Sequence, residues 1–181
     1  MDDSLRFFVE DRYASQHGAQ PVIGYQRWNS VQGSADQILA TLAYRSAADE
    51  RLFLEAYLTG PIEQAVSSAL GRIIQRNSIV EIGCLAALPT AALLKLWLAV
   101  ADTLSADYDV VVATLTRPLR RMLGRVGIEL IELAPANPEK LDPKCSGHWG
   151  RYYDLDPVVC AGDISQGLRA LSHFAGHEQA A

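Results

Sequence analysis

The run IVEIGCLAALPTAALLKLWLAVADTLSADYDVVVATLT, residues 79–116, decides the fold. Its first part, Ile79 to Ala86, is apolar and short, as a buried strand is. Pro89 separates it from Thr90 to Leu104, which has the length and apolar character of a helix packed inside a domain. Val110, Val111 and Val112 then centre a second strand over Tyr108 to Thr116. Strand, helix and strand in that order indicate an α/β unit. The same run bears on membrane insertion, because Ile82 to Ala101 is apolar apart from Gly83, Pro89, Thr90 and Lys95. That is close to the length of a bilayer span. Glu81 just before it, Pro89 within it and Lys95 in its helical half all oppose a transmembrane span.

Outward from this core, Leu5, Phe8, Val9 and Tyr13 recur at helical spacing, with Gly18 as the stop. Pro21 to Trp28 reads as a short strand and Ile38 to Tyr44 as a second, paired as a hairpin. Pro61 opens a helix with the apolar stripe Ile62, Ala65, Val66, Ala69 and Leu70, ending at Gly71. Beyond the central run, Pro118 starts a helix carrying Leu119, Met122, Leu123 and Val126, and Gly127 ends it. Ile128 to Leu133 is a strand, and a loop follows with Pro135, Pro138 and Pro143. A strand around Tyr152 to Cys160 and a closing helix from Asp163 to Phe174 complete the chain. The expectation is one domain over residues 1–175, an α/β fold with a mixed central sheet flanked by helices, and a frayed tail over 176–181.

The chain has 181 residues, of which 49% are apolar, and 16 Lys+Arg against 21 Asp+Glu give a net charge of −5. A nucleic-acid binder would carry a basic excess. Cys84, Cys145 and Cys160 are odd in number and unrelated in spacing, which indicates neither a disulfide framework nor a four-ligand zinc site. His148 lies three residues from Cys145, but no second pair completes a site, so no metal is expected. The N-terminal residues lack the pattern of a signal peptide. From these features a cytoplasmic protein is expected.

Several short motifs stand out: Leu52-Phe53-Leu54-Glu55 with Tyr57-Leu58, Pro61-Ile62-Glu63, Val80-Glu81-Ile82-Gly83 with Leu85-Ala86, Trp149-Gly150 with Tyr152-Tyr153, and Gly162-Asp163-Ile164. Together they resemble the thermostable hemolysin family, a bacterial family placed among GNAT-like acyltransferase folds and akin to autoinducer synthases. The resemblance spans roughly Leu5 to Leu171 and departs from the family at Cys84, where Asn is more usual. It implies a GNAT-like sheet in which a wedge between strands takes a pantetheine arm. The glycine-rich pyrophosphate loop of acetyl-CoA-dependent members is absent: the corresponding stretch is Leu85-Ala86-Ala87-Leu88-Pro89-Thr90-Ala91. That favours an acyl donor held by fewer phosphate contacts, an acyl carrier protein or acyl-CoA, with nothing bound tightly as a cofactor. The family name implies lysis and the fold implies acyl transfer. An N-acylated amphiphilic product would reconcile the two, since a small amphiphile survives heating that melts most domains. The other reading is a membrane-active or pore-forming protein that needs no chemistry.

Several residues are candidates for this chemistry. Glu81 in a central strand is costly unless paired or used. It suits a general base for an attacking amine, or else a structural ion pair with Arg45. By alternation it shares a face with Ile79, Gly83 and Leu85. Arg45 ends a strand where it can hold a substrate carboxylate, and Glu55 and Tyr57 stand where a substrate wall would lie. Main-chain amides of Gly83, Cys84 and Leu85 would hold the thioester carbonyl. Cys84 is also a possible nucleophile, with no His near it in sequence. Among Trp149, Tyr152 and Tyr153, a wall of the substrate site is expected, with Tyr152 as the acid that protonates the leaving thiolate. Thr90 starts a helix whose amides can meet a phosphate. Arg117, Arg120, Arg121 and Arg125 concentrate positive charge on one helix, as docking of an acidic carrier protein or of a phosphate requires. The bland alternative for these arginines is a solvated helix face.

Overall fold

The computed structural model describes residues 3–142 and 148–178. Its elements are α1 (Asp3–His17), β1 (Arg27–Gln32), β2 (Ile38–Ser46), α2 (Ile62–Leu70), β3 (Ile79–Ala87), α3 (Ala92–Leu104), β4 (Val110–Leu115), α4 (Arg117–Arg125), β5 (Ile131–Pro135), β6 (Val158–Asp163) and α5 (Ile164–Glu178). The strands form a single mixed sheet in the order β1-β2-β3-β4-β6-β5. Only β3 and β4 pair in parallel, joined by the α3 crossover. The expected mixed sheet flanked by helices is therefore present.

Alternation along the central strands divides the core into two faces. Val80, Leu42, Val158 and Cys160 pack against α3, α4 and α5 through Leu96, Val100, Leu104, Leu123, Ile164 and Leu171. Ile79, Val110, Val112, Val159 and Ala161 pack on the other face against α2, through Ile62 and Val66, and against Leu52, Leu54 and Tyr57. On α3 the residues Ala92, Leu96, Val100 and Leu104 recur every four positions and are buried, while Lys95 faces water. The apolar segment 82–101 is thus the end of β3, a turn and most of a 13-residue helix. No helix among the described residues is long and apolar enough to cross a membrane.

Several boundaries differ from the sequence expectation. The first strand runs over Arg27–Gln32, not Pro21 to Trp28, because Tyr25 is drawn under the sheet against Val9, Ala43 and Cys84. The strand expected at Ile128 to Leu133 begins at Ile131, since Ile128 and Leu130 pack into the α3–α5 core instead. Tyr152 to Leu155 is a 3-10 turn. Asp156, at φ 53°, and Pro157 then separate it from β6. Finally, α5 continues to Glu178 through the start of the expected frayed tail, while residues 179–181 lie outside the described residues, as do Pro143 and Cys145.

Candidate active site

The site begins with a fault in β3. Opposite β2, Ala43 pairs with Gly83 and Thr41 with Ala86, so Leu42 alone faces both Cys84 and Leu85. Cys84 takes a left-handed conformation, φ 50°. This is a β-bulge, which bends the strand and reverses its face alternation. The parallel ladder to β4 joins Ile79–Ile82 to Val110–Ala113 and ends there. Beyond it the strands diverge, and main-chain groups of Gly83–Ala87 face an open wedge. The wedge is a cleft of about 460 Å³ whose walls include Gly83, Cys84 and Leu85 of β3, Thr114 of β4 and Leu119 and Met122 of α4. The bulge also corrects one expectation: Leu85 lies on the α3 side with Ile82 and Ala87, opposite to the side Glu81 occupies.

Two further cavities meet this wedge. One, of about 120 Å³, is almost wholly apolar and runs between the sheet and α3, α4 and α5. It shares Ile82, Leu85, Ala113, Leu115 and Leu119 with the wedge and reaches Leu171 and Gly167. The other, of about 260 Å³, lies on the opposite face. It shares Gly83, Cys84, Thr114 and Tyr152 with the wedge and is lined by Tyr25, Arg45, Phe53, Tyr57, Glu81 and Trp149. A chain threaded through the wedge would therefore pass from an apolar channel to a polar, aromatic chamber.

Glu81 stands in that chamber and is only 2% exposed. Its Oε2 accepts the Phe53 N–H at 3.0 Å and its Oε1 the Leu54 N–H at 2.9 Å. Arg45 Nε lies 3.4 Å from Oε2. Burial raises the Glu81 carboxyl above its ordinary value, against the opposing pull of the Leu54 and Phe53 amides and of Arg45. Arg45 stacks over the Tyr25 ring at 4.0 Å and reaches Glu50 at 3.3 Å, yet its buried Nε has no hydrogen-bond partner among the described residues. Tyr152 donates its hydroxyl to the Thr114 carbonyl at 3.2 Å, at the junction of chamber and wedge, and burial keeps its phenol protonated. Cys84 is also buried, which pushes its thiol up to about 12. A thiol so protonated is a poor nucleophile.

Trp149 packs against Phe53, Tyr152 and Tyr153. Its turn is fixed by Gly150, at φ 49°, where any Cβ would collide with the His17 and Gly18 carbonyls. Arg151 N–H donates to the His17 carbonyl at 2.8 Å, fastening this turn to the end of α1. Tyr57 and Tyr153 share a hydroxyl contact of 2.6 Å, but only Tyr57 lines the chamber.

The remaining sequence candidates lie elsewhere. Glu55 is not in the chamber. Its oxygens accept the Leu52 and Ile62 amides and two Arg76 N–H groups, all within 2.9 Å, and it ties the 3-10 turn Phe53–Tyr57 to the start of α2. Thr90 precedes α3, and its hydroxyl already accepts the Ala92 N–H, so the helix starts two residues later than expected and Thr90 is outside the wedge. Arg117 and Arg120 both bind Asp156, and Arg120 also pairs with Glu132 at 3.0 Å, which anchors α4 to the turn before β6. Arg121 and Arg125 are exposed and enter no ion pair among the described residues. Among those residues no three His, Cys, Asp or Glu side chains cluster as metal ligands would.

Sequence reasoning missed Tyr25, Phe53 and Thr114. Gly83 carried the signal for Tyr25: a glycine inside a strand marks a close approach, and here a Cβ would collide with the Tyr25 hydroxyl.

The sequence matches the family described as "Thermostable hemolysin" over residues 2–168. The chain belongs to that family. Among solved structures, this hemolysin-family fold is similar to BjaI, a CoA-dependent acyl-homoserine lactone synthase solved with SAM and isopentyl-CoA, at TM-score 0.65 and 14% identity, covering 96% of this chain and 83% of that one. TofI in an apo form gives TM-score 0.62 at 15% identity, covering 95% and 91%. FeeM, an N-acyl amino acid synthase from uncultured soil microbes, gives 0.60 at 14%, covering 91% of each chain. At such identities the likeness concerns the fold. A search of curated proteins gave no significant match to this hemolysin-family chain.

Proposed function

We propose that this protein is an N-acyltransferase that moves a fatty acyl group from a phosphopantetheine thioester, on an acyl carrier protein or CoA, to the amine of a small polar acceptor. The observation that carries this reading is the continuous path from apolar channel through wedge to chamber, with Glu81 at its end. The acyl chain occupies the channel, the pantetheine arm lies in the wedge, and the amine enters the chamber. Glu81 takes the proton from the acceptor ammonium, and its raised proton affinity suits it to that task. The freed amine attacks the thioester carbonyl and forms the C–N bond. Main-chain groups of Gly83 to Leu85, released from the β4 ladder, stabilise the oxyanion. The C–S bond then breaks, the Tyr152 hydroxyl protonates the departing thiolate, and the proton shed by the acylated nitrogen restores the Tyr152 phenol. Transfer is direct, in keeping with a Cys84 thiol that stays protonated.

The test is mass spectrometry of lipid extracts from cells expressing the wild type and Glu81→Gln, each checked for folding. An N-acyl species present only with the wild type supports the reading and names donor chain and acceptor together. Lysis that persists undiminished in a folded Glu81→Gln protein, with no new lipid in either strain, would overturn it in favour of a membrane-active protein.

A further inference from the structure

We infer that the acceptor is a zwitterionic α-amino acid with a bulky apolar or aromatic side chain, held by its carboxylate on Arg45 and by its ammonium on Glu81. The inference rests on the acyl-transfer reading of the same chamber and specifies its substrate.

Buried N–H donors are almost always hydrogen-bonded. Among the described residues three buried side-chain polar atoms lack a partner, and two of them, Arg45 Nε and Trp149 Nε1, belong to residues lining this chamber. Both are donors sealed from solvent, and Arg45 Nε is turned towards Glu81. Arg45 makes no hydrogen bond among the described residues, and its guanidinium lines the chamber, where its Nη groups can meet a carboxylate. Its side chain is only 13% exposed, so bulk water does not mask it.

Charge selects the rest of the ligand. Arg45 is flanked by Glu81 at 3.4 Å and by Glu50 at 3.3 Å. A simple anion on Arg45 would lie against the Glu81 carboxylate, and a simple amine at Glu81 would leave the Arg45 guanidinium unmatched. A zwitterion supplies both partners and adds no net charge. The 3.4 Å separation of Arg45 Nε from Glu81 Oε2 fits an ammonium and a carboxylate on one carbon, not at opposite ends of a chain. The rest of the wall includes the Phe53, Tyr57 and Trp149 rings, which favours a large apolar side chain. The product would be an N-acyl amino acid, an anionic amphiphile, formed with release of the free thiol.

The experiment uses the full-length protein and isothermal titration with the twenty L-amino acids, each compared with its decarboxylated amine. Decanoyl-CoA and decanoyl-carrier protein are then offered with the same panel while thiol release is followed. At least one bulky apolar amino acid is expected to bind tenfold or more tightly than its amine. Arg45→Gln should abolish that preference, so that amino acid and amine bind alike. Arg45→Lys, which keeps the charge but not the two-pronged edge, should recover only part of it. Equal binding of amino acid and amine by the wild type, or no binding by any amino acid, would overturn the inference, and neither outcome depends on a variant folding. Preferred binding of an amino acid without thiol release from either donor would overturn the acyl-transfer reading and leave the site standing. Acylation of amines as fast as of amino acids would do the reverse.

Discussion

Glu55 and Glu81 are both nearly sealed from solvent, yet their carboxyls shift in opposite directions. Burial pushes both up. At Glu55 the two Arg76 bonds and the Ile62 and Leu52 amides outweigh it and bring the group down to about 2; at Glu81 two amides and a poorly aligned Arg45 do not. The consequences for stability differ in sign. Glu55 ionises more readily in the folded chain, so its contribution, about 3 kcal/mol by linkage, is present above its unfolded value and lost as pH falls through about 2. Urea titrations of the wild type and Glu55→Gln should converge as the solution is acidified. Glu81 disfavours the fold as pH rises past the ordinary glutamate value, the cost of keeping a base in a dry chamber. If it is that base, the acid limb of kcat/KM lies above the usual glutamate range and disappears in Glu81→Gln. The resemblance read in the sequence sets Asn at the place of Cys84, and the left-handed backbone there suits Asn, which tolerates that region better than most side chains. Cys84→Val, β-branched at φ 50°, should lower stability by about 1–2 kcal/mol relative to Cys84→Asn, read from thermal melts.

At the scale of the element, β3 is where sequence reading succeeded and failed together. Its apolar run and the following helix could be read from period and Pro89. Its bulge could not, because a one-residue slip leaves no mark on composition, and so Leu85 was placed on the wrong face. Gly83→Ala would set a methyl group against the Tyr25 hydroxyl under Arg45. The variant should melt at lower temperature and lose acceptor affinity, whereas Gly124→Ala, in the open on α4, should do neither. The α4 arginines were legible as a cluster, but Asp156, which neutralises two of them from 36 and 39 residues away, was not. On the proposed reading, docking of an acidic carrier would fall to Arg121 and Arg125. Reversing both to Glu should slow transfer from a carrier-bound donor and leave transfer from acyl-CoA unchanged, measured as initial thiol release.

For the molecule as a whole, the mixed sheet was evident from the alternation of elements, while the chamber was not, because it assembles Tyr25, Arg45, Phe53, Glu81, Thr114 and Trp149 from six separate strands, turns and loops. The apolar channel has one wall that invites a direct test. Gly167 of α5 borders it with no atom within 4 Å of where a Cβ would stand. Gly167→Leu should gain helix stability of about 1 kcal/mol and fill the channel, so that the longest acyl chain accepted becomes shorter while turnover with short chains persists. The four-residue seam between β3 and β4 has a further meaning. It is all that stitches two antiparallel three-stranded ribbons, β1-β2-β3 and β4-β6-β5, into one sheet. A donor lying in the wedge would act as a seventh, borrowed strand, capping edges that water otherwise caps. Those amides of residues 83–87 and 114–116 that point into the wedge, and not to β2 or β6, should then exchange rapidly with deuterium in the free protein and slowly once an acyl thioester is seated, so that the substrate completes the architecture that binds it.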